Sequence, residues 1–210
     1  GDVVLDIGAN IGSHTLPLAK LVGDNGCVYA FEPTDFAVNK LRNNLNLNPD
    51  LVKRVSICQA MLVSNENTLV EKELFSSWPL VGSDNLHEKH KGQLMATVGA
   101  SAVTLDNFIK ENNITQIDFI KLDVDGFEYS VLSGGEKILE IFKPTILMEL
   151  APYLFKDQKD EFIKMIELYK KLGYFFYDAN NRNTLPVDAE KLFDLIPDGV
   201  SRNIIATVIA

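Results

Sequence analysis

Apolar residues follow two alternating patterns along the chain. Short continuous runs, typical of buried strands, alternate with longer segments in which apolar residues recur every three or four positions, as at Ala37, Leu41 and Leu45. The predicted strands are 3–7, 27–31, 55–59, 117–122, 145–150, 174–177 and 203–209. This alternation predicts a parallel sheet with helices on both faces.

The closing part of the chain departs from the alternation. No convincing helix pattern separates the last two predicted strands, so we expect them to form an antiparallel pair. The expected fold class is α/β, a doubly wound, mostly parallel seven-stranded sheet of the Rossmann-like type, in one domain over residues 1–210. Thr34 and Thr104 stand where each would cap the following helix, and 128–141 is predicted to be mostly helical.

Residues 65–100 interrupt the order of strands and helices with a polar, turn-rich segment. Two aromatic residues, Phe75 and Trp78, lie within it. Because such side chains would be costly in a purely solvated loop, we expect this insertion to form a lid or one wall of a substrate site. A surface hairpin without a binding role is the alternative.

Composition narrows the classes of partner. The net charge of −9 argues against a nucleic-acid backbone as the main partner. No apolar stretch approaches about 20 residues, so we expect no transmembrane helix and no membrane partner. No signal peptide precedes the first strand, which favours a cytoplasmic protein. Cys27 and Cys58 fall in predicted strands without C-x-x-C spacing and are interpreted as reduced core thiols.

Carboxylates stand at the ends of most predicted strands. Ligands of open parallel sheets bind beyond the carboxyl ends of the strands, so these positions are the first candidates for a site. The acids at these ends are Asp6, Glu32, Asp123, Asp125 and Glu149. Such a cluster suits a cationic ligand and would repel a phosphate.

The loop after the first strand is rich in glycine and distinguishes two kinds of nucleotide cofactor. The dinucleotide template G-x-G-x-x-G, started at Gly8, fails at Asn10 and Ser13. The pattern acid-x-G-x-G-x-G, similar to the first motif of class I S-adenosylmethionine methyltransferases, fits at Asp6, Gly8 and Gly12, with Asn10 in place of the middle glycine. Asn tolerates left-handed backbone angles, so this exchange is mild. We expect Gly8 and Gly12 to let a ligand approach the backbone.

Five segments together resemble the FkbM-type methyltransferases. They are 1–12, 31–33, 104–106, 117–128 and 203–207, and they span nearly the whole chain. The resemblance implies methylation that depends on S-adenosylmethionine, usually of a hydroxyl oxygen on a sugar, a glycan or a secondary metabolite. The main departure is Asp125, where the family more often has Glu, and this weakens any role given to that residue.

The candidate site residues follow from these patterns. Glu32, 20 residues after Gly12, stands where a carboxylate binds the ribose hydroxyls of an adenosine cofactor, and Gln59 could contact the adenine edge. The residues expected to bind S-adenosylmethionine are Asp6, Gly8, Ala9, Asn10, Gly12, Ser13, Glu32, Pro33, Gln59 and Ala60. Asp123 and Asp125 are the candidate catalytic residues, since a carboxylate near the methyl group can accept the proton of the methyl acceptor.

Several alternatives remain open at this point. Asp123, Asp125 and Glu149 could instead hold a divalent ion that acidifies a bound hydroxyl, although no metal is assigned. Lys121 is interpreted as a partner of an acid, and Glu128 as either functional or placed by the helix dipole. His14 is equally a cofactor neighbour or a surface residue, and His87 and His90 lack a third zinc ligand. The alternative functions are a nucleotide-dependent oxidoreductase and a non-catalytic domain that binds S-adenosylmethionine.

Overall fold

A computed structural model describes residues 1–76 and 93–208. The twelve strands of these residues are β1 (Val3–Ile7), β2 (Cys27–Phe31), β3 (Val55–Cys58), β4 (Ala60–Leu62), β5 (Glu73–Ser76), β6 (Gln93–Ala96), β7 (Ser101–Val103), β8 (Phe119–Leu122), β9 (Thr145–Leu150), β10 (Phe175–Asp178), β11 (Thr184–Leu185) and β12 (Arg202–Thr207). The helices of the same residues are α1 (Thr15–Leu21), α2 (Asp35–Asn46), α3 (Leu105–Glu111), α4 (Glu128–Ser133), α5 (Glu136–Phe142), α6 (Lys159–Lys171) and α7 (Ala189–Leu195).

The main sheet has eight strands in the order β11-β10-β12-β9-β8-β1-β2-β3. Its central strands β3, β2, β1, β8 and β9 are parallel, whereas β12 is antiparallel to both β9 and β10. The chain runs outward from β1 through β2 to β3 and returns to β8 on the other side of β1. The boundary between β1 and β8 is therefore the switch point at which such sheets bind ligands.

The expected α/β class and the antiparallel closing pair are confirmed, but two details were wrong. The main sheet has eight strands rather than seven because the two residues of β11 pair with β10, and two residues are too few to give a pattern. The helix α7 lies between β10 and β12, where none was expected. The segment 128–141 is mostly helical, as predicted, and it forms two helices because Gly134 and Gly135 separate them, with Gly135 at a non-helical φ of −120°.

Alternate residues of the strands face two different layers of helices. Val4 and Val28 point to one face and pack with Ala19 of α1, while Ala30 on the same face packs with Leu41 of α2. The opposite face carries the largest core, to which β1 contributes Leu5 and Ile7 and the helices α3 to α7 contribute their apolar sides. Both faces of the central strands are thus covered, which explains why those strands read as continuous apolar runs.

The described part of the insertion contains two short pairs of strands. β5 and β6 form an antiparallel hairpin, and β4 pairs in parallel with β7. Phe75 lies in β5. Trp78, His87 and His90 lie outside the described residues, so the lid or wall expected over 65–100 stays a prediction beyond β5 and β6.

Two expectations from composition can be compared with the structure. Cys27 and Cys58 are free cysteines in β2 and β3, and burial raises the pKa of Cys58 to about 11. A thiol with so high a pKa is a poor nucleophile, so Cys58 is expected to be inert, although it is partly buried and packs against the core rather than within it. Across residues 1–76 and 93–208, no helix combines the length and the apolar character needed to cross a bilayer.

Candidate active site

A cavity of about 430 Å³ opens at the switch point, across the carboxyl ends of β8, β1, β2 and β4. Nine of the residues predicted from the sequence line it: Gly8, Ala9, Asn10, Ser13, Glu32, Pro33, Ala60, Asp123 and Asp125. Three predicted cofactor residues do not line it, namely Asp6, Gly12 and Gln59. The carboxyl ends of the parallel strands thus meet at one cavity. Asp6, Gly12 and Gln59 instead make contacts within the protein.

The loop after β1 is held in a conformation that needs unusual backbone angles. Gly8 has a φ of 77° and Asn10 a φ of 49°, both in the left-handed region. Asn10 therefore takes the role expected for it, because its short polar side chain tolerates this region. The Asn10 Oδ1 accepts a hydrogen bond from the Ile11 N–H at 2.7 Å, and the Asn44 amide of α2 donates to the Ile11 carbonyl at 2.8 Å. The loop is therefore fixed before any ligand binds.

The two glycines of this loop have a different purpose from the one expected. A Cβ atom at Gly8 would overlap the Asp123 carbonyl, and one at Gly12 would lie 2.5 Å from the Leu41 Cδ1. Both glycines are required by close packing within the protein rather than by the approach of a ligand. Gly8 still borders the cavity, whereas Gly12 packs under α2.

Asp6 lies beneath the cavity instead of in its wall. The residue is fully buried, and its Oδ2 accepts a hydrogen bond from the Thr15 hydroxyl at 2.6 Å. The Lys121 Nζ lies 3.8 Å from its other oxygen. Asp6 therefore links β1 to the start of α1 and to β8, which is a structural role for the acid of the motif.

Gln59 is turned away from the cavity. Its side-chain amide donates to the Val98 carbonyl at 2.8 Å, which ties the end of β3 to the segment before β7. Ala60, Met61 and Leu62 of β4 line the cavity in its place. The adenine contact predicted for Gln59 therefore has no support in this geometry.

Glu32 is buried at the end of β2, with 2% of its surface exposed. Its carboxylate accepts hydrogen bonds from the Asn10 N–H at 3.0 Å, from the Thr34 N–H at 3.0 Å and from the Thr34 hydroxyl at 2.6 Å. Burial raises the pKa of Glu32 above its ordinary value despite these bonds.

The two predicted helix caps have different outcomes. The Thr34 hydroxyl donates to Glu32 and does not cap α2. Thr104 caps α3 as predicted, because its hydroxyl accepts a hydrogen bond from the Asn107 N–H at 3.3 Å.

Lys121, near the end of β8, lies close to two acidic side chains, those of Asp6 and Asp123. Lys121 pairs in register with Asp6 of β1, and its buried ammonium donates to the Gly8 carbonyl at 2.9 Å. It also forms an ion pair with Asp123 at 3.2 Å. The Asp123 side chain remains 39% exposed toward the cavity, so it is available to a ligand as well as to Lys121.

Asp125 occupies a strained turn at the mouth of the cavity. Its φ is 51° and that of Gly126 is 106°. Asp tolerates the left-handed region better than a longer acid does, which gives a physical reason for the departure from the family pattern. The residue is exposed, yet partial desolvation by the surrounding protein, together with the charges of Asp123 and Glu149, raises its pKa to about 6.

The buried side chain of Glu128 stabilises the 123–126 turn. Only 3% of its surface is exposed, and it accepts hydrogen bonds from the N–H groups of Val124 at 3.3 Å and of Gly126 at 3.1 Å. Burial raises its pKa to about 7. Of the two interpretations left open by the sequence, the structure supports a structural one, in which Glu128 fixes the 123–126 turn.

Apolar residues that sequence reasoning missed complete the cavity. They are Phe31, Phe36, Met61, Leu62, Leu74 and Phe127, and beside them lies Phe75, which was expected in such a wall. Phe36 and Phe127 are each 41% exposed, an unusual position for a large aromatic ring. Phe36 follows Glu32 by four residues and Phe127 follows Asp125 by two. These positions were the available signal, because a ring next to a binding loop can pack on a flat ligand.

A metal site finds no support in the described residues. Within 1–76 and 93–208, no group of three or more His, Cys, Asp or Glu side chains is arranged to hold an ion. Glu149, one of the three proposed ligands, accepts a hydrogen bond from the Ser201 hydroxyl.

The fold and the cavity together define a class of protein. An open, mostly parallel sheet with a carboxylate-lined cavity at its switch point is the architecture of class I methyltransferases. The methyltransferase FkbM domain model matches residues 6–176, and the chain belongs to this family.

Individual relatives support this assignment. The chain is 32% identical over 158 residues to the 31-O-demethyl-FK506 methyltransferase FkbM of Streptomyces tacrolimicus, a match that covers 65% of this chain and 60% of that protein. It is 24% identical over 139 residues to the hexuronic acid methyltransferase AglP of Haloferax volcanii, covering 66% and 52% of the two chains. The matched segments thus span 52–60% of these relatives' lengths.

A solved structure supports the fold. The crystal structure of methyltransferase FkbM from Methylobacillus flagellatus KT superposes with a TM-score of 0.57 at 17% identity, covering 98% of this chain and 43% of that one.

Proposed function

We propose that this domain is an S-adenosylmethionine-dependent O-methyltransferase that acts on a hydroxyl group of a sugar, a glycan or another small molecule. The observation that carries the proposal is the convergence of Asp123, Asp125 and Glu149 on one cavity at the switch point. Carboxylates in this position favour a sulfonium cation and disfavour a dinucleotide phosphate. The relatives named for 31-O-demethyl-FK506 and for a hexuronic acid support a small-molecule acceptor.

The residues of the cavity fit this cofactor at both of its ends. Phe31, Met61 and Leu62 offer an apolar wall for the adenine ring, and Glu32 lies at the adjoining strand end with a buried carboxylate. Gly8 and Ser13 also line the cavity, together with the carboxylates of Asp123 and Asp125 in the turn after β8. We assign Glu32 to the ribose hydroxyls, since its Oε2 accepts only the Asn10 N–H and keeps a lone pair, whereas Oε1 already accepts two hydrogen bonds from Thr34.

Catalysis in this site needs positioning and one proton acceptor. When bound, the cofactor supplies an electrophilic methyl group, which passes to the acceptor oxygen as the carbon–sulfur bond breaks. Asp123 takes the hydroxyl proton, because its carboxylate is both exposed to the cavity and oriented by Lys121. Asp125 supplies negative charge at the cavity mouth. A small-molecule or glycan partner, the absence of a nucleic-acid partner and a cytoplasmic location stay predictions.

Calorimetric titration tests the choice of cofactor. S-adenosylmethionine and S-adenosylhomocysteine are expected to bind, whereas NAD and NADP are expected to give no heat. Glu32→Gln removes the charge-assisted hydrogen bonds to the ribose, each worth ~1.5–3 kcal/mol, so affinity should fall at least about tenfold. Glu111→Gln, an exposed acid of α3 outside the cavity, is the matched control. Binding of NAD without binding of S-adenosylmethionine would point to the oxidoreductase alternative instead.

Turnover tests the role of Asp123. Asp123→Asn keeps the shape of the side chain and removes its charge and basicity, so kcat should fall by roughly 10²–10⁴-fold while cofactor affinity changes little. EDTA should leave the wild-type rate unchanged, since we assign no metal. A normal rate for the Asn variant would mean that proximity alone drives the reaction, and inhibition by EDTA that magnesium reverses would establish the metal alternative.

A further inference from the structure

A second cavity adjoins the cofactor cavity at the carboxyl ends of β8 and β9. Its volume is about 390 Å³, and its far side is formed by Asn180, in the turn after β10, and by Asn203 of β12. Four residues line both cavities: His14, Lys121, Asp123 and Glu149. A ligand in the second cavity would therefore share the carboxylate of Asp123 with a ligand in the first.

The second cavity presents polar side chains that are free to bind a ligand. Asn180 and Asn203 are exposed, and within the described ranges neither side chain has a hydrogen-bond partner; the same holds for His14. The Ala179 N–H donates to the Asn203 carbonyl at 2.9 Å, which holds the turn after β10 against β12. Each amide both donates and accepts hydrogen bonds, as recognition of hydroxyl groups requires.

The charges around this second cavity are predominantly negative. Asp123 and Glu149 face it, and Lys121 is the only lysine or arginine among the described residues that line it. The Lys121 ammonium is already bound to the Gly8 carbonyl at 2.9 Å and to Asp123 at 3.2 Å. A ligand that carried a carboxylate would therefore meet two like charges and no free lysine or arginine among the described residues that line this cavity, which is a basis for rejecting it.

On the basis of the proposed methyltransferase activity, we propose that the second cavity is the acceptor subsite and that it selects an uncharged, hydroxyl-rich ring. Asn180 and Asn203 bind the ring hydroxyls, and Asp123 lies where one hydroxyl can reach the methyl group. Asp123 and Glu149 exclude a ring with a carboxylate. This specificity differs from the hexuronic acid for which the Haloferax volcanii relative is named.

Two sugar probes test this selectivity, and they differ only at C6, which is a hydroxymethyl group in one and a carboxylate in the other. In the presence of saturating S-adenosylhomocysteine, the affinities of p-nitrophenyl β-D-glucopyranoside and p-nitrophenyl β-D-glucuronide are measured by saturation-transfer NMR. The glucoside is expected to bind at least about tenfold more tightly, which corresponds to ~1.4 kcal/mol of charge repulsion. Glu149→Gln should narrow that difference. The double variant Asn180→Ala/Asn203→Ala should weaken glucoside binding about tenfold and leave the affinity for S-adenosylhomocysteine unchanged.

The controls separate this inference from the proposed function. Asn43→Ala, at an exposed asparagine of α2 that lines neither cavity, should behave as wild type. Equal affinity for the two probes, no binding of the glucoside, or an unaffected double variant would each overturn the acceptor subsite while S-adenosylhomocysteine still bound. If S-adenosylhomocysteine failed to bind in calorimetry while the glucoside bound normally, the proposed function would fall instead.

Discussion

Asp125 shows how backbone conformation and charge are linked at a single residue. Its left-handed φ places a short carboxylate at the cavity mouth, close enough to Asp123 and Glu149 for their charges to raise its pKa. The protonation state of Asp125 therefore changes near pH 6, where a cationic ligand would be affected and a neutral one would not.

The ratio of cofactor to product affinity should depend on pH through Asp125. Above pH 6 the ionised carboxylate attracts the sulfonium of S-adenosylmethionine, whereas S-adenosylhomocysteine has a neutral sulfur. Lowering the pH from 8 to 5 should therefore weaken S-adenosylmethionine relative to S-adenosylhomocysteine by roughly five- to tenfold, which corresponds to ~1 kcal/mol for a partly solvated charge pair. Calorimetry at several pH values measures this ratio.

Asp125→Asn should make this ratio independent of pH, while Asp160→Asn, at an exposed acid of α6, should leave the wild-type profile intact. A ratio that stays constant in the wild type would show that Asp125 does not face the sulfonium.

At the residue scale, the sequence located the strand ends but not the direction of each side chain. Asp6 and Gln59 both stand at predicted strand ends, yet Asp6 points to Thr15 beneath the loop and Gln59 to Val98. Successive strand residues alternate between the two faces, and which face borders a cavity depends on the helices that pack there. Such packing is a tertiary property, so local patterns do not reveal it.

At the scale of elements, the short or irregular ones escaped prediction. β4 and β7 have three residues each and β11 has two, and each exists only through its pairing partner. The turn at 123–126 is likewise defined by Glu128 of the following helix rather than by its own residues. Most elements longer than about four residues, which carry a full apolar period, were predicted within a few positions, but the seven residues of α7 were not.

The buried carboxyl group of Glu128 connects α4 to the 123–126 turn, and its ionisation should make the free energy of unfolding depend on pH. Burial raises the pKa of Glu128 from an ordinary 4.5 to about 7, so the folded state keeps its proton over this range while the unfolded state loses it. The contribution of Glu128 to stability is then greatest below pH 4.5 and falls as the pH rises to 7, by an amount on the order of 3 kcal/mol. Urea unfolding at pH 5 and pH 8 measures the change.

Two variants isolate the contribution of Glu128. Glu128→Gln cannot ionise and should lose this part of the pH dependence, whereas Glu190→Gln, at an exposed acid in the first turn of α7, should keep it. Identical pH dependence in the wild type and the Glu128 variant would refute the assignment.

At the scale of the whole molecule, the last strand of the described residues, β12, lies inside the main sheet and not at its edge. β12 lies between β9 and β10 and is paired with both, and Ile204 and Ala206 are fully buried in the largest core. Arg202 also forms an ion pair with Asp178 of β10 at 3.1 Å. The sequence predicted an antiparallel closing pair, but a single chain pattern does not show that the later strand inserts between two earlier ones.

This topology makes the fold depend on its final strand. Removal of residues 202–210 would leave β10 and β11 without a partner in the sheet and would expose one side of β9, together with the core side chains that Ile204 and Ala206 cover. We expect this truncated chain to lose cooperative unfolding, as measured by circular dichroism in urea. It should also lose binding of S-adenosylhomocysteine, because Glu149, which borders the cofactor cavity, lies on β9 and would lose its pairing strand. A chain that lacks only residues 209–210 retains all of β12 and should unfold as the wild type does. A cooperative transition at an unchanged midpoint in the longer truncation would mean that β1, β2, β3, β8 and β9 form a stable unit by themselves, and that β12 contributes only a wall of the acceptor subsite.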